Sequence, residues 1–162
     1  MEQFIIGYDI CPFARHIPAA QLKYHIDLSN ELLHILENIQ KECIALQQNQ
    51  DVETSLLVYP EVNMDFLDFL DIFYACEQLL EDSGLDEEFQ LVVFHPAFCY
   101  EGAEKNDPSN FTNRSPYPMI HILRVDSVSK AVDQHPNIAI ISENNIKKLR
   151  GKPANFWENL RQ

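Results

Sequence analysis

Residues 21–48, QLKYHIDLSNELLHILENIQKECIALQQ, change their hydrophobic period partway along, and this change decides the predicted fold. The first part alternates apolar and polar side chains, which predicts a half-buried β-strand. From Leu32 onward the apolar residues recur every three or four positions, which predicts an amphipathic helix that ends near Gln48. Ser29 is a suitable N-cap, and Glu31 places negative charge beside the helix N-terminus. A strand that runs directly into a helix is typical of mixed α/β folds.

Two further apolar segments predict strands that alternate with helices. TSLLVYP at 54–60 is apolar almost throughout, as expected for a central strand, and EFQLVVFHP at 88–96 predicts a third strand. The helix between them is predicted to begin near Asn63 and to end before Gly84, because glycine terminates many helices. Helical crossovers join parallel strands, so this order predicts an α/β fold with a small, mostly parallel sheet of about three to four strands.

The last third of the chain predicts a loop and several helices. Residues 99–117 are polar and rich in turn-forming residues, so we expect a long loop there. Ser115 is then the expected cap of a helix that contains His121 and Arg124. Further helices are predicted near 127–134, 143–150 and 154–161, which makes the C-terminal part helical. The chain has no internal repeat and no interdomain linker, so residues 1–162 are expected to form a single globular domain.

The charge and the cysteines limit the expected partners and location of the protein. Asp and Glu outnumber Lys and Arg by 25 to 12, and the net charge is −13. Such an acidic chain is a poor partner for nucleic acids and for anionic membranes. No basic N-terminal segment precedes an apolar run, no run approaches a membrane span, and the four cysteines form no C-x-x-C pair. We therefore expect a cytoplasmic protein with free thiols.

Three segments together resemble a known family. They are CPFAR at 11–15, FHPAF at 94–98 and NFTNRSPYPMIHILR at 110–124. Over nearly its whole length, from GYDICPFAR to ENNIKKLR, the chain resembles the family of bacterial proteins known only as domain of unknown function 1415. It departs from the family's pattern at YEGAEKNDPSN, where a Phe-Ala-Gly stretch is more usual. The resemblance implies no activity, so the functional hypotheses rest on the residues themselves.

The catalytic candidates are two histidines and one cysteine. His95 follows the third predicted strand, at the carboxyl end where ligands bind in open α/β sheets. His121 lies three residues before Arg124 and would share a face of the predicted helix with it. Either imidazole can transfer a proton near neutral pH. Cys11 is a candidate nucleophile if it faces the pocket, because a nearby arginine or histidine would favour its thiolate form.

Further residues are candidates for binding an anionic substrate or ligand. Arg114 precedes the N-terminus of the predicted helix, where free N–H groups also favour negative charge. Its planar guanidinium suits a carboxylate or a phosphate. The complete set of binding candidates is Arg15, Asn113, Arg114, Tyr117 and Arg124. Zinc-binding atoms are also present in Cys11, His95, Cys99 and His121, but only one pair has ligand spacing, so no metal is assigned and no cofactor is identified.

Each candidate also has a structural interpretation. His95 can cap the strand end through a hydrogen bond to the backbone, and Arg114 and Arg124 can pair with the abundant carboxylates. Cys11 can pack as a small apolar residue, as free cysteines usually do. Tyr117 can pack the loop over the sheet instead of lining a pocket. The residue types alone do not separate these interpretations from the functional ones.

Three functions stay open from the sequence. The first is an enzyme that acts on a small anionic metabolite in a pocket formed by CPFAR, FHP and NRSPYPMIH, and it requires Cys11, His95, Arg114 and His121 to converge on one cavity. The second is a non-catalytic module that binds a ligand or a protein. In the third, the motif only fixes the loop to the sheet. The sequence does not determine whether the protein is an enzyme, what it binds, or its oligomeric state.

Overall fold

The fold alternates strands and helices and ends in a helical part. The computed structural model describes residues 2–11, 14, 17–134 and 138–161. The strands are β1 (Leu22–Ile26), β2 (Thr54–Val58), β3 (Phe89–Phe94) and β4 (Met119–Arg124). The helices are α1 (Leu32–Gln48), α2 (Phe66–Ser83), α3 (Val125–Gln134), α4 (Ile138–Arg150) and α5 (Ala154–Arg161). A π-helical turn occupies Glu2–Ile6, and 3-10 turns occupy Ala19–Gln21 and Pro108–Thr112.

The described strands form one sheet in the order β1-β2-β4-β3. β1 and β2 are parallel, as expected for strands joined by a helical crossover. β4 lies between β2 and β3 and is antiparallel to both. The three strands predicted from the sequence and the α/β class are confirmed, but the prediction of a mostly parallel sheet is wrong. The prediction failed because it did not include β4, which pairs antiparallel with both β2 and β3.

The helix predicted after Ser115 is also wrong, because Met119–Arg124 is a strand. An apolar run of this length does not distinguish a strand from a helix by its period alone. The decision depends on β2 and β3, whose backbone N–H and C=O groups both require partners in the gap between them. β4 supplies those partners on both of its edges, from Met119 to Ile122 along β2 and from Met119 to Arg124 along β3.

The ends of α2 follow from one carboxylate and one glycine. Asp65, and not the predicted Asn63, caps the helix: its Oδ1 accepts from the N–H groups of Leu67 at 2.9 Å and Asp68 at 3.0 Å. The prediction for Gly84 is confirmed, since it follows the helix with a φ of 68°. Glycine adopts this left-handed conformation without the steric cost that a Cβ atom would add.

The predicted amphipathic helix α1 is confirmed, and its buried face forms part of the core. It begins directly after Glu31, while the predicted cap Ser29 accepts a hydrogen bond from the Glu31 N–H at 3.2 Å outside the helix. The apolar residues buried along α1 are Ile35, Ile39, Cys43 and Leu46. Their spacing of three and four places them on one side of the helix, facing the sheet and α2.

The sheet has two different faces. One packs against α1 and α2 and forms the main hydrophobic core with them. Its central residues Leu57, Ile120 and Ile122 are fully buried, and we call it the helix-covered face. Alternate residues point to the opposite side, which we call the second face. On β1 this second face is open, since Tyr24 and Ile26 expose 54% and 67% of their surface.

A smaller hydrophobic cluster joins the N-terminal segment to α4 and α5. Its buried residues are Phe4, Ile10, Phe111, Leu149 and Trp157. Asn145 of α4 fixes the segment by donating from Nδ2 to the Ile10 carbonyl at 2.6 Å. The helices predicted near 127–134, 143–150 and 154–161 are confirmed within α3, α4 and α5. Within the described residues, the helices are too short or too polar to span a membrane.

Candidate functional site

The connection between β3 and β4, residues 95–118, contains most of the candidate site, and we call it the motif loop. Asn113 fixes this loop to the end of β3. Its Nδ2 donates to the Val93 carbonyl at 3.0 Å, while its own carbonyl accepts from the His95 N–H at 3.1 Å. Asn113 Oδ1 also accepts from the hydroxyl of Tyr100 at 3.2 Å. The amide side chain therefore binds protein groups on both of its ends.

Arg114 is directed at the backbone of the motif loop. Its Nε donates to the Phe98 carbonyl at 3.0 Å, and Nη2 donates to the Lys105 carbonyl. The guanidinium carbon also lies 5.0 Å from the centre of the Phe111 ring. Burial lowers the pKa of Arg114, although nearby Cys99 and Glu158 oppose this shift. Because Phe98 belongs to the main core and Phe111 to the smaller cluster, Arg114 connects the two.

Asn110 is a residue of this loop that the sequence interpretation did not single out. It is fully buried and donates from Nδ2 to the Glu104 carbonyl at 2.9 Å. Its Oδ1 accepts from the Tyr100 N–H at 3.0 Å, and Nδ2 also lies 3.6 Å from Cys99 Sγ. Its place in the loop, two residues after Pro108, is a usual position for a turn-forming asparagine. That signal indicates a structural role in the loop.

His95 is buried between the end of β3 and α2. Its Nδ1 accepts from the Ala97 N–H at 3.1 Å, and its side chain also bonds the backbone of Met64. The ring lies 5.7 Å from that of Phe66 and 5.6 Å from that of Phe69, on the helix-covered side. Burial lowers the pKa of His95, while the Met64 bond and the charge of Asp65 oppose this shift. These contacts fix the position of the imidazole, and its Nδ1 is engaged as an acceptor by the Ala97 N–H.

Arg124 caps the C-terminal end of α1. Its Nη2 donates to the carbonyls of Leu46 at 2.7 Å, Asn49 at 3.2 Å and Val52 at 3.0 Å. The unpaired carbonyls of a helix C-terminus favour such a cation. The guanidinium also lies over the ring of Phe89, on the helix-covered face. The predicted common face for His121 and Arg124 is therefore wrong, because residues three apart on a strand point to opposite sides.

His121 lies on the second face of the sheet and is bonded to Thr54. Its Nε2 is 2.6 Å from Thr54 Oγ1, and the same hydroxyl donates to the Ile122 carbonyl at 2.6 Å. A hydroxyl has only one proton, so the imidazole must be the donor in its bond to Thr54. The hydrogen-bond network thus assigns His121 as the Nε2–H tautomer, with Nδ1 as an acceptor.

The surroundings of His121 are apolar. Leu56 of β2 and Val92 of β3 lie opposite it in the sheet, and the ring of Phe94 is 6.4 Å away. Burial lowers the pKa of His121 to about 4, so the imidazole is neutral at pH 7. Within the described part of the chain, Thr54 is its polar side-chain partner, and Nδ1 has no bonded group. The environment of His121 is thus apolar, with one fixed hydrogen-bond acceptor.

The structure does not bring the catalytic candidates together. His95 is on the helix-covered side and His121 is on the second face. Cys11 is half-buried beside the smaller cluster, where its carbonyl accepts from the Ala14 N–H at 3.2 Å. Arg15 lies outside the described residues. The catalytic and binding roles of these residues stay predictions, but a single hollow shared by His95, Arg114 and His121 is not present.

The other candidates are separated in the same way. Tyr117 lies near the end of the motif loop, just before β4, and is exposed at 48% of its surface. Cys43 and Cys76 are buried in the main core, and burial raises the pKa of each thiol to about 12. Across the described ranges, no three His, Cys, Asp or Glu side chains are grouped as metal ligands. The described residues thus provide no geometric support for a zinc site around Cys99.

Two buried carboxylates were missed by the sequence interpretation. Asp27, at the end of β1, accepts from the Ser29 N–H at 2.9 Å and from Asn38 Nδ2 at 2.6 Å. Glu42 of α1 accepts from Ser55 Oγ at 2.8 Å and pairs with Lys23 at 2.8 Å. The position of Glu42 on the apolar side of α1 could have indicated that its carboxylate is buried. Both groups bond α1 to the sheet, and both oxygens of each carboxylate have protein partners, which indicates structural roles.

Comparison with known proteins agrees with the motifs. A family model matches residues 1–159, and its description reads "Protein of unknown function (DUF1415)". No curated protein and no solved structure matches the chain. The family predicted from the three motifs is confirmed, and its description names no activity, substrate or partner. The function must therefore be argued from the geometry of this chain.

Proposed function

We propose that this chain, which belongs to the DUF1415 family, is a non-catalytic binding module with its ligand site on the second face of the sheet around His121. The observation that carries this proposal is the bond between His121 and Thr54. It fixes the orientation and the tautomer of the imidazole, so that Nδ1 is left as an acceptor in a defined direction. Ligand sites usually combine apolar lining residues with a few precisely placed polar groups, as around His121.

The properties of His121 favour binding over proton transfer. An effective general base has a pKa near the working pH, whereas burial lowers the pKa of His121 to about 4. The imidazole is then a weak base at pH 7 and carries no charge to attract an anion. The enzyme hypothesis also needs a nucleophile or a second acid–base group nearby. His95, the other histidine candidate, is on the opposite side of the sheet and is held by Ala97 and Met64.

The expected ligand is compact and largely apolar, with one N–H or O–H donor for His121 Nδ1. Leu56, Val92 and Phe94 would contact its apolar part. The anionic ligand expected from the sequence has less support, because Arg114 and Arg124 already donate to backbone carbonyls. One hydrogen bond of this kind contributes about 1 kcal/mol, and the apolar contact supplies the rest of the affinity.

The test is an NMR-detected screen of small aromatic and aliphatic compounds that carry a single donor. We expect binders to shift the His121 Nδ1 resonance and to lose about fivefold in affinity in His121→Phe, which keeps an aromatic ring but removes the acceptor. His34→Phe is the matched control, because His34 is an exposed histidine on α1. Binders that leave the His121 resonances unchanged, or that bind His121→Phe equally well, would refute the proposal.

A further inference from the structure

The negative charge of this protein is concentrated in one part of the chain. Residues 42–94 contain thirteen acidic residues and no lysine, arginine or histidine, and the net charge of the whole chain is −13. Outside this segment the charges therefore balance. α2 and the turn that follows it lie in the centre of the segment. α2 and this turn therefore carry several carboxylates and no basic side chain.

α2 presents a stripe of exposed residues away from the core. Leu67, Asp71, Tyr74, Gln78 and Glu81 follow one another at spacings of four and three, which places them on one side of a helix. We call them the α2 stripe. Two of them are large and apolar, yet Leu67 and Tyr74 expose 68% and 55% of their surface. The buried residues of the helix, including Phe69 and Cys76, lie on its other side.

The carboxylates of α2 are not neutralised within the described residues. The described ion pairs involve Asp27, Glu37, Glu42, Asp107 and Glu143, none of which lies on α2. Among the described side chains, Glu81 and Asp82 accept from Gln78 Nε2, at 3.4 Å and 3.0 Å. They also occupy the last turn, which has no basic residue, although that end of a helix favours cations. Burial, and then the charge of Glu81, raises the pKa of Glu77.

We infer that the α2 stripe is a docking surface for a cationic amphipathic helix of another protein. A partner with Lys or Arg beside the acidic residues would reduce the repulsion between the carboxylates of α2. Its positive charges would also interact favourably with the C-terminal end of the α2 dipole. Leu67 and Tyr74 are seven residues apart, or about 10 Å at the helical rise, so two apolar residues seven apart on the partner would meet them. This arrangement is the helix-on-helix form of recognition.

Other occupants have the wrong charge. Nucleic acid and anionic membranes carry the same sign as the stripe. A second copy of the chain also carries a net charge of −13, and two cations of its helix α4 are engaged: Lys148 donates to the carbonyls of Tyr8 and Asp9, and Arg150 binds Asp107. A protein partner with a basic helix is therefore the occupant that matches both the charge and the apolar pair.

The experiment uses the full chain and a designed helical peptide with lysines on one face and two leucines seven residues apart. Binding is measured by fluorescence anisotropy at low and at moderate salt. We expect binding that weakens with salt and that falls at least fivefold in Asp71→Asn/Glu81→Gln. An equal fall is expected in Leu67→Ser/Tyr74→Ser, which leaves the charge unchanged. A peptide with the same leucines and with glutamate in place of lysine should not bind.

Matched variants separate a specific surface from a general charge effect. Asp126→Asn/Asp133→Asn removes the same charge from exposed positions on α3, and should change affinity less than twofold. Equal losses in the α2 and α3 charge variants, or unchanged binding in Leu67→Ser/Tyr74→Ser, would overturn the assignment, as would no binding at low salt. Circular dichroism confirms that each variant is folded. His121→Phe should bind the peptide normally, so the outcome is independent of the proposed ligand site.

Discussion

Replacement of Arg114 by alanine tests whether this residue holds the motif loop or binds a ligand. The substitution removes the hydrogen bonds to the Phe98 and Lys105 carbonyls and the contact with the Phe111 ring. These contacts join two segments of the loop, and they connect the main core to the smaller cluster. Arg114→Lys is the matched variant, because it keeps the charge but lacks the planar fork that spans two carbonyls.

The expected loss of stability follows from these contacts. A hydrogen bond from a charged donor contributes about 1.5–3 kcal/mol when buried, and the half-buried position of Arg114 places each bond at the lower end. The cation–π contact adds about 0.5–1 kcal/mol. We therefore expect Arg114→Ala to lower the free energy of unfolding by about 3–4 kcal/mol. In a chain of 162 residues this lowers Tm by about 6–16 °C.

The assay is urea denaturation followed by circular dichroism, with Lys130→Ala on α3 as the control for loss of an exposed cation. Arg114→Lys should retain less than half of the stabilisation, because lysine reaches only one carbonyl at a time. A loss below about 1 kcal/mol in Arg114→Ala would refute the structural role, since that is the usual effect of a surface substitution. The residue would then be available to an anion, as the sequence suggested.

Three further predictions concern single groups elsewhere in the fold. Burial lowers the pKa of His121 from 6.5 to about 4. Between about pH 4 and pH 6.5, the unfolded chain therefore binds a proton at His121 that the folded chain does not bind. Stability should therefore fall by up to about 3 kcal/mol as pH falls from about 6.5 to about 4, and urea titrations should show a smaller slope in His121→Gln. Gly84→Ala should lower the free energy of unfolding by about 1–2 kcal/mol in the same urea titrations, because a residue with a Cβ atom is strained at a φ of 68°. The space itself is open, since no atom lies within 4 Å of the added Cβ. An unchanged free energy of unfolding would show that the turn relaxes to another conformation. The hydroxyl of Tyr59 is buried without a described partner, so Tyr59→Phe should keep or raise Tm, and a loss above about 1 kcal/mol would show that the hydroxyl is bonded.

The misassignment of Met119–Arg124 shows where local pattern fails. Met119, Ile120, Ile122 and Leu123 fit either a short helix or a strand, and the prolines before them are compatible with both. The segment becomes a strand because Ile120 and Ile122 complete the buried face between β2 and β3. That choice also separates His121 from Arg124, which the helical period had placed together. The incorrect assignment of this one segment as a helix therefore made the predicted arrangement of His121 and Arg124 wrong.

The arginines show a second limit. Their positions in the sequence are equally consistent with anion binding and with structural hydrogen bonds, because a guanidinium donates to carboxylates and to carbonyls alike. Arg124 bonds the end of α1, whose carbonyls lie more than seventy residues away in the sequence. Arg114 reaches Phe98 across the motif loop. The choice between these partners depends on distances that no local pattern contains.

The sequence by itself determined the strands and helices from β1 to β3, the helical C-terminal part, the family, and the concentration of acidic residues between 42 and 94. These features depend on neighbouring residues, whose hydrophobic period, caps and charges act over one or two turns of chain. Only the tertiary structure decided the place and direction of β4, the opposite sides taken by His95 and His121, and the partners of Arg114 and Arg124. Those outcomes come from competition among distant backbone and side-chain groups for hydrogen bonds and burial, which is resolved only when the whole chain is packed.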